Sequence, residues 1–431
     1  MAQGSRLLAD VRPLRESPAF RRLWAGVTLS AFGGSLTSFA VILQVWELTH
    51  SSFAVGAVGV AQMVPTLAVG LLGGSLTDAA DRRQVVLVTS AALALVSSAL
   101  AAQAFAGLRL VWPLYTLVTV QAALNAVNFP ARQTFLPRLL PPALVPAGLA
   151  LDRLSFQIVL TAGPALAGLI TGIPQLGLRA CYLIDALTFA AALYGVARLP
   201  AMPPQPEGAG PGPRPGPRAV AEGVRFIRRS QPLAGAFLID LNATVFGLPV
   251  ALFPAINAER FGGHPGTLGL FTAAIGVGGL VSAALSGPIR HVVRHGRAML
   301  AAVAVWGAAF AGFAVAPGLA LTLTLLAVAG AVDTFTVVFR LSILQAVTPE
   351  HLRGRVLAAD YVVGAGGPQL GNLEAGALAS LTTPVISAVI GGLVTVAGAL
   401  VIGVALPGFR RYRSQHGEAT GESRLAATAE P

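Results

Sequence analysis

The sequence predicts an all-α polytopic membrane protein: twelve transmembrane helices in two six-helix bundles, with both termini in the cytoplasm. Three observations predict it. The first is composition. Of 431 residues, 55% are apolar and 11% charged, with a mean hydropathy of +0.72; ordinary soluble domains carry roughly 25% charged residues. The second is spacing. Apolar runs of the length a bilayer requires, about 20 residues, recur between short polar breaks along the whole chain. The third is charge asymmetry. All 29 basic residues are arginine, and with both termini on one side only Arg109, Arg179 and Arg260 fall on the other. That skew marks the cytoplasmic face.

In chain order, residues 1–22 are expected to form a cytoplasmic tail. Arg6, Asp10, Arg12, Arg15 and Glu16 precede any apolar run, which is not the pattern of a secretory signal peptide. The N-terminal bundle is predicted over 23–198, with spans at 23–46, 53–76, 85–105, 112–132, 151–173 and 178–198. A cytoplasmic linker covers 199–232. Its first part, 202–218, is rich in proline and glycine and lacks apolar periodicity, as flexible linkers do. Its second part, 219–230, is basic and amphipathic and predicts a helix lying on the membrane surface. The C-terminal bundle is predicted over 233–406, with spans at 233–256, 268–289, 298–315, 319–344, 356–381 and 384–406, before a cytoplasmic tail at 407–431. Trp46, Trp112, Tyr115 and Tyr182 are expected at the outer interface, where aromatic side chains collect.

The composition also excludes function classes. Cys181 is the only cysteine, so internal disulfides, CxxC redox pairs and cysteine-based metal sites are ruled out. The net charge of +11 is explained by the cytoplasmic face rather than by nucleic acid. Neither a Walker loop nor an HExxH zinc motif is found. No metal site, cofactor or catalytic residue is expected.

The two halves repeat each other. RQTFLPRLLP at 132–141 and RLSILQAVTP at 340–349 share arginine, a small hydroxyl, leucine and proline in step, 208 residues apart. At the same offset Asp152 falls on Asp360, Gly163 on Gly371 and Gly168 on Gly376. Span 4 thereby aligns with span 10 and span 5 with span 11, a parallel repeat about an axis along the membrane normal.

One polar stretch, GGSLTDAADRRQVV at 73–86, separates spans 2 and 3. Its Gly74, Leu76, Asp78, Arg82 and Arg83 resemble the loop motif of the major facilitator superfamily; Ala79 and Asp81 depart from it, where arginine and glycine are usual. VWELTHSSFAVG, YLIDALTFAAAL, TPEHLRGRV and GNLEAG resemble the branch of enterobactin exporters and macrolide-efflux proteins. GPALAG, with Gly163, Pro164 and Gly168, is similar to a shortened helix-5 antiporter signature; a packing role for its small residues follows from physics alone. The resemblance implies that Asp78 helps latch the bundles in the outward-open state; the plainer alternative is a topogenic charge cluster. Arg132 with Asp152, and Arg340 with Asp360, would form a cytoplasmic gate, unless the arginines simply snorkel.

Charge inside a span is costly and marks function. The proton-coupling candidates are Asp333, Asp240, Glu374 and Asp185. The resemblance implies that helices 1, 4, 7 and 10 line the cavity, which favours Asp240 and Asp333; Asp185 also suits a hydrogen bond between helices. Asp333 is the first choice, although it lies seven residues from Arg340 and the two suit a purely structural network. Gln121, Asn125, Asn128 and Asn242 are substrate-cavity candidates or helix-to-helix bonds. Together these imply a secondary active transporter in a bacterial inner membrane, a proton-coupled antiporter exporting amphiphilic molecules such as drugs, macrolides or siderophores. The partners expected are a small-molecule substrate and the lipid bilayer, with no nucleic acid, and the chain is expected to be monomeric. The alternatives are an importer or uniporter of the same fold, and, from another class, a receptor, scaffold or membrane enzyme.

Overall fold

Amides in lipid must be satisfied within their own segment, so long apolar runs fold as helices. The computed structural model describes residues 10–72, 81–200, 202, 217–284 and 292–414, and every regular element among them is helical. Two long helices open the chain, α1 (Pro18–Thr49) and α2 (Ser52–Leu72). They are followed by α3 (Arg82–Phe105), α4 (Trp112–Gln133), α5 (Val145–Thr171) and α6 (Gly177–Ala197). Beyond the linker come α7 (Pro217–Arg229), α8 (Gln231–Phe246), α9 (Phe253–Phe261) and α10 (Pro265–Ala284). The chain continues through α11 (His295–Val315), α12 (Leu319–Val347), α13 (Glu350–Leu381) and α14 (Pro384–Ala405).

Among the described residues ten helical stretches are long and apolar enough to cross a membrane, against the twelve expected. The two expected spans missing from that set are α4 and α13. Both are long, at 22 and 32 residues, but polar. α4 carries Gln121, Asn125, Asn128 and Arg132, and α13 carries Arg353, Arg355, Asp360 and Glu374.

The seventh expected span, 233–256, lies within one of these stretches, Gln231–Phe261, but is interrupted. It is not one helix. α8 ends at Phe246, the backbone leaves helical geometry through Gly247 and Pro249, and α9 resumes at Phe253. Proline lacks a donor and blocks the preceding turn. The freed backbone groups are taken up by side chains. Trp306 Nε1 donates to the Gly247 carbonyl at 2.7 Å, and the Ala251 amide donates to Asn372 Oδ1 at 3.0 Å.

The chain divides into two compact units. The first comprises Met1–Thr49, Ala61–Arg214 and His264–Ala273; the second comprises His50–Val60, Pro215–Gly263 and Ala274–Pro431. In the first, α1 packs on α5 and α6, α3 packs on α4 and α6, and α5 touches α6. In the second, α8 packs on α13 and α14, α11 packs on α12 and α14, and α13 touches α14. The same pairings therefore recur at equivalent places.

The repeated glycines explain part of this. A side chain at Gly163 of α5 would strike Ser35 on α1, and one at Gly371 of α13 would strike the Thr244 carbonyl on α8. Small residues let helices approach closely where lipid supplies no hydrophobic drive. Within the first unit Gly168 also lies against Pro265 and Gly269, and within the second Gly376 lies against Ser52.

Two of the three arginines outside the main skew have local partners. Arg179 Nε donates to the Ala104 carbonyl at 3.2 Å, and Arg260 donates to the carbonyls of Ala314 and Ala316. A cation at a helix C-terminus is stabilised by the dipole there. Tyr182 is a correction to the expected aromatic belt. It is fully buried, and its hydroxyl donates to Gln44 Oε1 at 2.7 Å.

Candidate functional site

The second unit holds a buried charge cluster. α12 supplies Arg340, α8 supplies Asp240 and α13 supplies Asp360. Arg340 Nη1 donates to Asp240 Oδ2 at 3.0 Å and to Asp360 Oδ1 at 2.7 Å. The three side chains are only 10%, 9% and 16% exposed. Charges so far from water persist only when paired. The Nε of Arg340 is buried with no hydrogen-bond partner. Two turns away on α12, half-buried Asp333 is in electrostatic reach of both Asp240 and Arg340. One guanidinium thus stands among three carboxyl groups. Glu374, also half-buried, lies on α13 two residues from Asn372, the acceptor at the α8–α9 break.

Sequence reasoning paired Arg340 with Asp360 but did not join Asp240 to them. Asp240 is 100 residues away in sequence, and only the packing of α8 on α12 unites the three. In the first unit Arg132 and Asp152 stand in electrostatic reach of each other. No ion pair between Arg132 and Asp152 is formed among the described residues. Asp152 is exposed, and the Arg132 guanidinium sits over the Phe129 ring at 5.8 Å.

In the first unit Asp185 is fully buried. Its Oδ2 accepts from Thr37 Oγ1 and from Ser97 Oγ, each at 2.7 Å, so it ties α6 to α1 and α3. Its Oδ1 is buried without a partner. Gln44 and Gln103 exchange amide hydrogen bonds nearby, at 3.1 and 2.9 Å. Thr37, Ser97, Gln44 and Gln103 were missed in the sequence. Hydroxyls and amides are common enough in spans that only their convergence singles them out.

The four cavity candidates separate into two kinds. Asn128 Nδ2 donates to Thr89 Oγ1 at 2.8 Å and to Ser90 Oγ at 3.0 Å, binding α4 to α3. Asn242 Nδ2 donates to the Thr395 carbonyl at 2.8 Å, binding α8 to α14. Gln121 and Asn125 are not engaged in this way; one turn apart on α4, they are half-buried and exposed. In the helix-5 motif, Gly163, Pro164 and Gly168 are all buried.

Of the polar loop, Gly74, Leu76 and Asp78 lie outside the described residues. At the start of α3 the cap is Asp81, which accepts from the Arg83 amide at 2.8 Å. An Asp at this position satisfies an otherwise orphan amide. Arg83 in turn donates from the same end of the bundle to the carbonyl of Ala197, the last residue of α6, at 2.7 Å. Arg82 donates its amide to the Met202 carbonyl at 3.2 Å.

This architecture places the chain in the class of the major facilitator fold. The solved nucleoside transporter NupG matches it with a TM-score of 0.66 at 13% identity, covering 90% of this chain and 98% of that one. A bacterial homologue of the iron transporter ferroportin, in an inward-facing state, matches with a TM-score of 0.64 at 17% identity, covering 91% and 98%. Within that class the chain belongs to the family of transmembrane secretion effectors, whose description fits residues 9–427. Its curated relatives include the enterobactin exporter EntS of Citrobacter koseri, 28% identical over 94% of this chain and 96% of that protein. The enterobactin exporter EntS of Escherichia coli O1:K1 is also 28% identical, over 93% of each chain.

Proposed function

We propose that the protein is a proton-coupled exporter of amphiphilic small molecules, siderophores among them, working by alternating access as an antiporter in a bacterial inner membrane. The observation that carries this reading is the charge cluster of the second unit. Arg340 is shared by Asp240 and Asp360 at 3.0 and 2.7 Å, and Asp333 adds a third carboxyl within electrostatic reach. One positive charge cannot neutralise three acids. Protonating one acid relieves the excess, and ionising it restores the excess. Such a cluster is suited to loading and releasing a proton, because net charge in an apolar surround is costly. Asp333, which is not clamped to Arg340, is the carboxyl proposed to carry the proton. Asp240 and Asp360 hold the guanidinium, and Glu374 is the next candidate.

Export rather than import is supported by the likeness to enterobactin exporters over nearly the whole chain. Gln121 and Asn125 are the proposed substrate contacts, since Asn128 and Asn242 are spent on neighbouring helices. α4 and α13 are proposed to complete twelve spans. Their polar residues within the bilayer then face the bundle interior or the substrate cavity rather than lipid, as charged groups in spans do. An even number of spans puts both termini on one side, and the arginine skew makes that side the cytoplasm. The protein is proposed to act as a monomer.

The test is reconstitution into vesicles with an imposed pH gradient, challenged with dyes, macrolides and catecholate siderophores. The expected result is movement only while the gradient lasts, lost in Asp333→Asn. Movement indifferent to the gradient would overturn proton coupling. Movement of none of the compounds would favour a receptor or scaffold.

A further inference from the structure

α7, PRAVAEGVRFIRR, has 13 residues, too few to cross a bilayer. Only Ser230 separates it from α8. One side of it is docked on α13. Gly223 lies so close to the Arg355 carbonyl that a methyl group would clash, Glu222 pairs with Arg355 Nη1 at 2.7 Å, and Ile227 is buried. Arg355 stands in the second turn of α13, which begins at Glu350. α7 therefore sits at the ends of two long helices, which, with α8 and α13 crossing the bilayer as proposed above, is the level of its headgroups.

Its other side is basic. Arg218, Arg225, Arg228 and Arg229 are all exposed. At 3.6 residues per turn, Arg218, Arg225 and Arg229 fall within about 40° of one line along the helix, opposite Gly223 and Ile227. The one acid on α7, Glu222, falls beside this arginine line by the same spacing, and it is already committed to Arg355. Exposed Arg353 on α13 adds to the charge at this end.

We propose that this arginine face is a binding surface for anionic phospholipid headgroups. Guanidinium groups match phosphate oxygens two at a time, and the face is held where those headgroups are. Charge complementarity and position both favour lipid over the other available occupant, an acidic polypeptide such as the segment with Glu418 and Glu422 near this chain's C-terminus.

The experiment is native mass spectrometry of the full chain in neutral detergent, titrated with phosphatidylglycerol or phosphatidylcholine. The wild type is expected to bind phosphatidylglycerol preferentially. Arg225→Gln/Arg229→Gln is expected to weaken phosphatidylglycerol about 25-fold, some fivefold per arginine, and to leave phosphatidylcholine unchanged. Arg411→Gln/Arg413→Gln removes the same charge from two other exposed positions and is expected to bind like the wild type. Equal losses in both variants would overturn the proposal, because net charge alone would then explain the binding. No loss in the first variant would overturn it by leaving the face unused, and so would displacement of the lipid by millimolar inorganic phosphate. All four positions are at the surface, so melting curves like the wild type's are expected and separate lost binding from lost fold.

Discussion

Arg340 does two jobs at once: it pairs with both Asp240 and Asp360, and it holds α8 and α13 to α12. Removing it strands two buried carboxylates. Arg340→Gln is expected to cost about 3–5 kcal/mol, read as a lowered thermal midpoint in detergent. Adding Asp240→Asn to that variant is expected to recover part of the loss, since one of the stranded charges is then gone. Asp185 behaves differently. Thr37 and Ser97 both donate to one of its oxygens, and an amide offers an oxygen in the same place. Asp185→Asn, whose NH2 would take the unpartnered Oδ1 site, is therefore expected to cost less than Asp185→Leu, which leaves two buried donors unpaired and lowers stability by about 1–3 kcal/mol each. A large loss of stability in Asp185→Asn would show that the carboxylate itself is needed.

Helices here are specified less by propensity than by what satisfies their exceptions. The break between α8 and α9 follows from Gly247 and Pro249, both visible in the sequence. That it survives in an apolar setting depends on Trp306 and Asn372, which are 59 and 121 residues away from the groups they satisfy. Trp306→Phe keeps the ring and removes the donor. It is expected to lower the thermal midpoint by the equivalent of about 1–3 kcal/mol, the cost of an orphaned buried carbonyl. An unchanged midpoint would mean that another donor serves Gly247. α4 and α13 make a related point. Their polarity keeps them out of the set that hydropathy alone finds, yet the same polarity supplies Gln121, Asn125 and Asp360.

The molecule as a whole is built from one arrangement used twice. The offset of 208 residues places Gly163 on Gly371, and each glycine admits a neighbouring helix: α1 in one unit, α8 in the other. The charges do not follow the repeat. Arg340 is paired, while its counterpart Arg132 rests on Phe129; Asp240 supplies the additional acid in the second unit. Orientation in the membrane is open to a direct test, because Cys181 is the only cysteine and is fully buried. A membrane-impermeant maleimide is expected to label Leu108→Cys, in the exposed turn after α3, on intact cells. Gln133→Cys, at the exposed end of α4, is expected to react only after the membrane is opened. The reverse pattern would invert the topology proposed from the arginine skew.

Fold class, helix positions and the repeat were legible in the sequence because they are written in short-range terms. Apolar length sets a span, and glycine spacing sets where helices meet. The motif around Arg83 was legible as a family likeness, but not the contact it makes with Ala197. What only the tertiary structure decided is which polar groups share a site. Asp240 joins Arg340 and Asp360, while Asn128, Asn242 and Asp185 are drawn into bonds between helices. The physical reason is distance along the chain. A buried charge or amide must find a partner, and nothing in its own stretch of sequence says which helix, a hundred residues away, brings that partner within 3 Å.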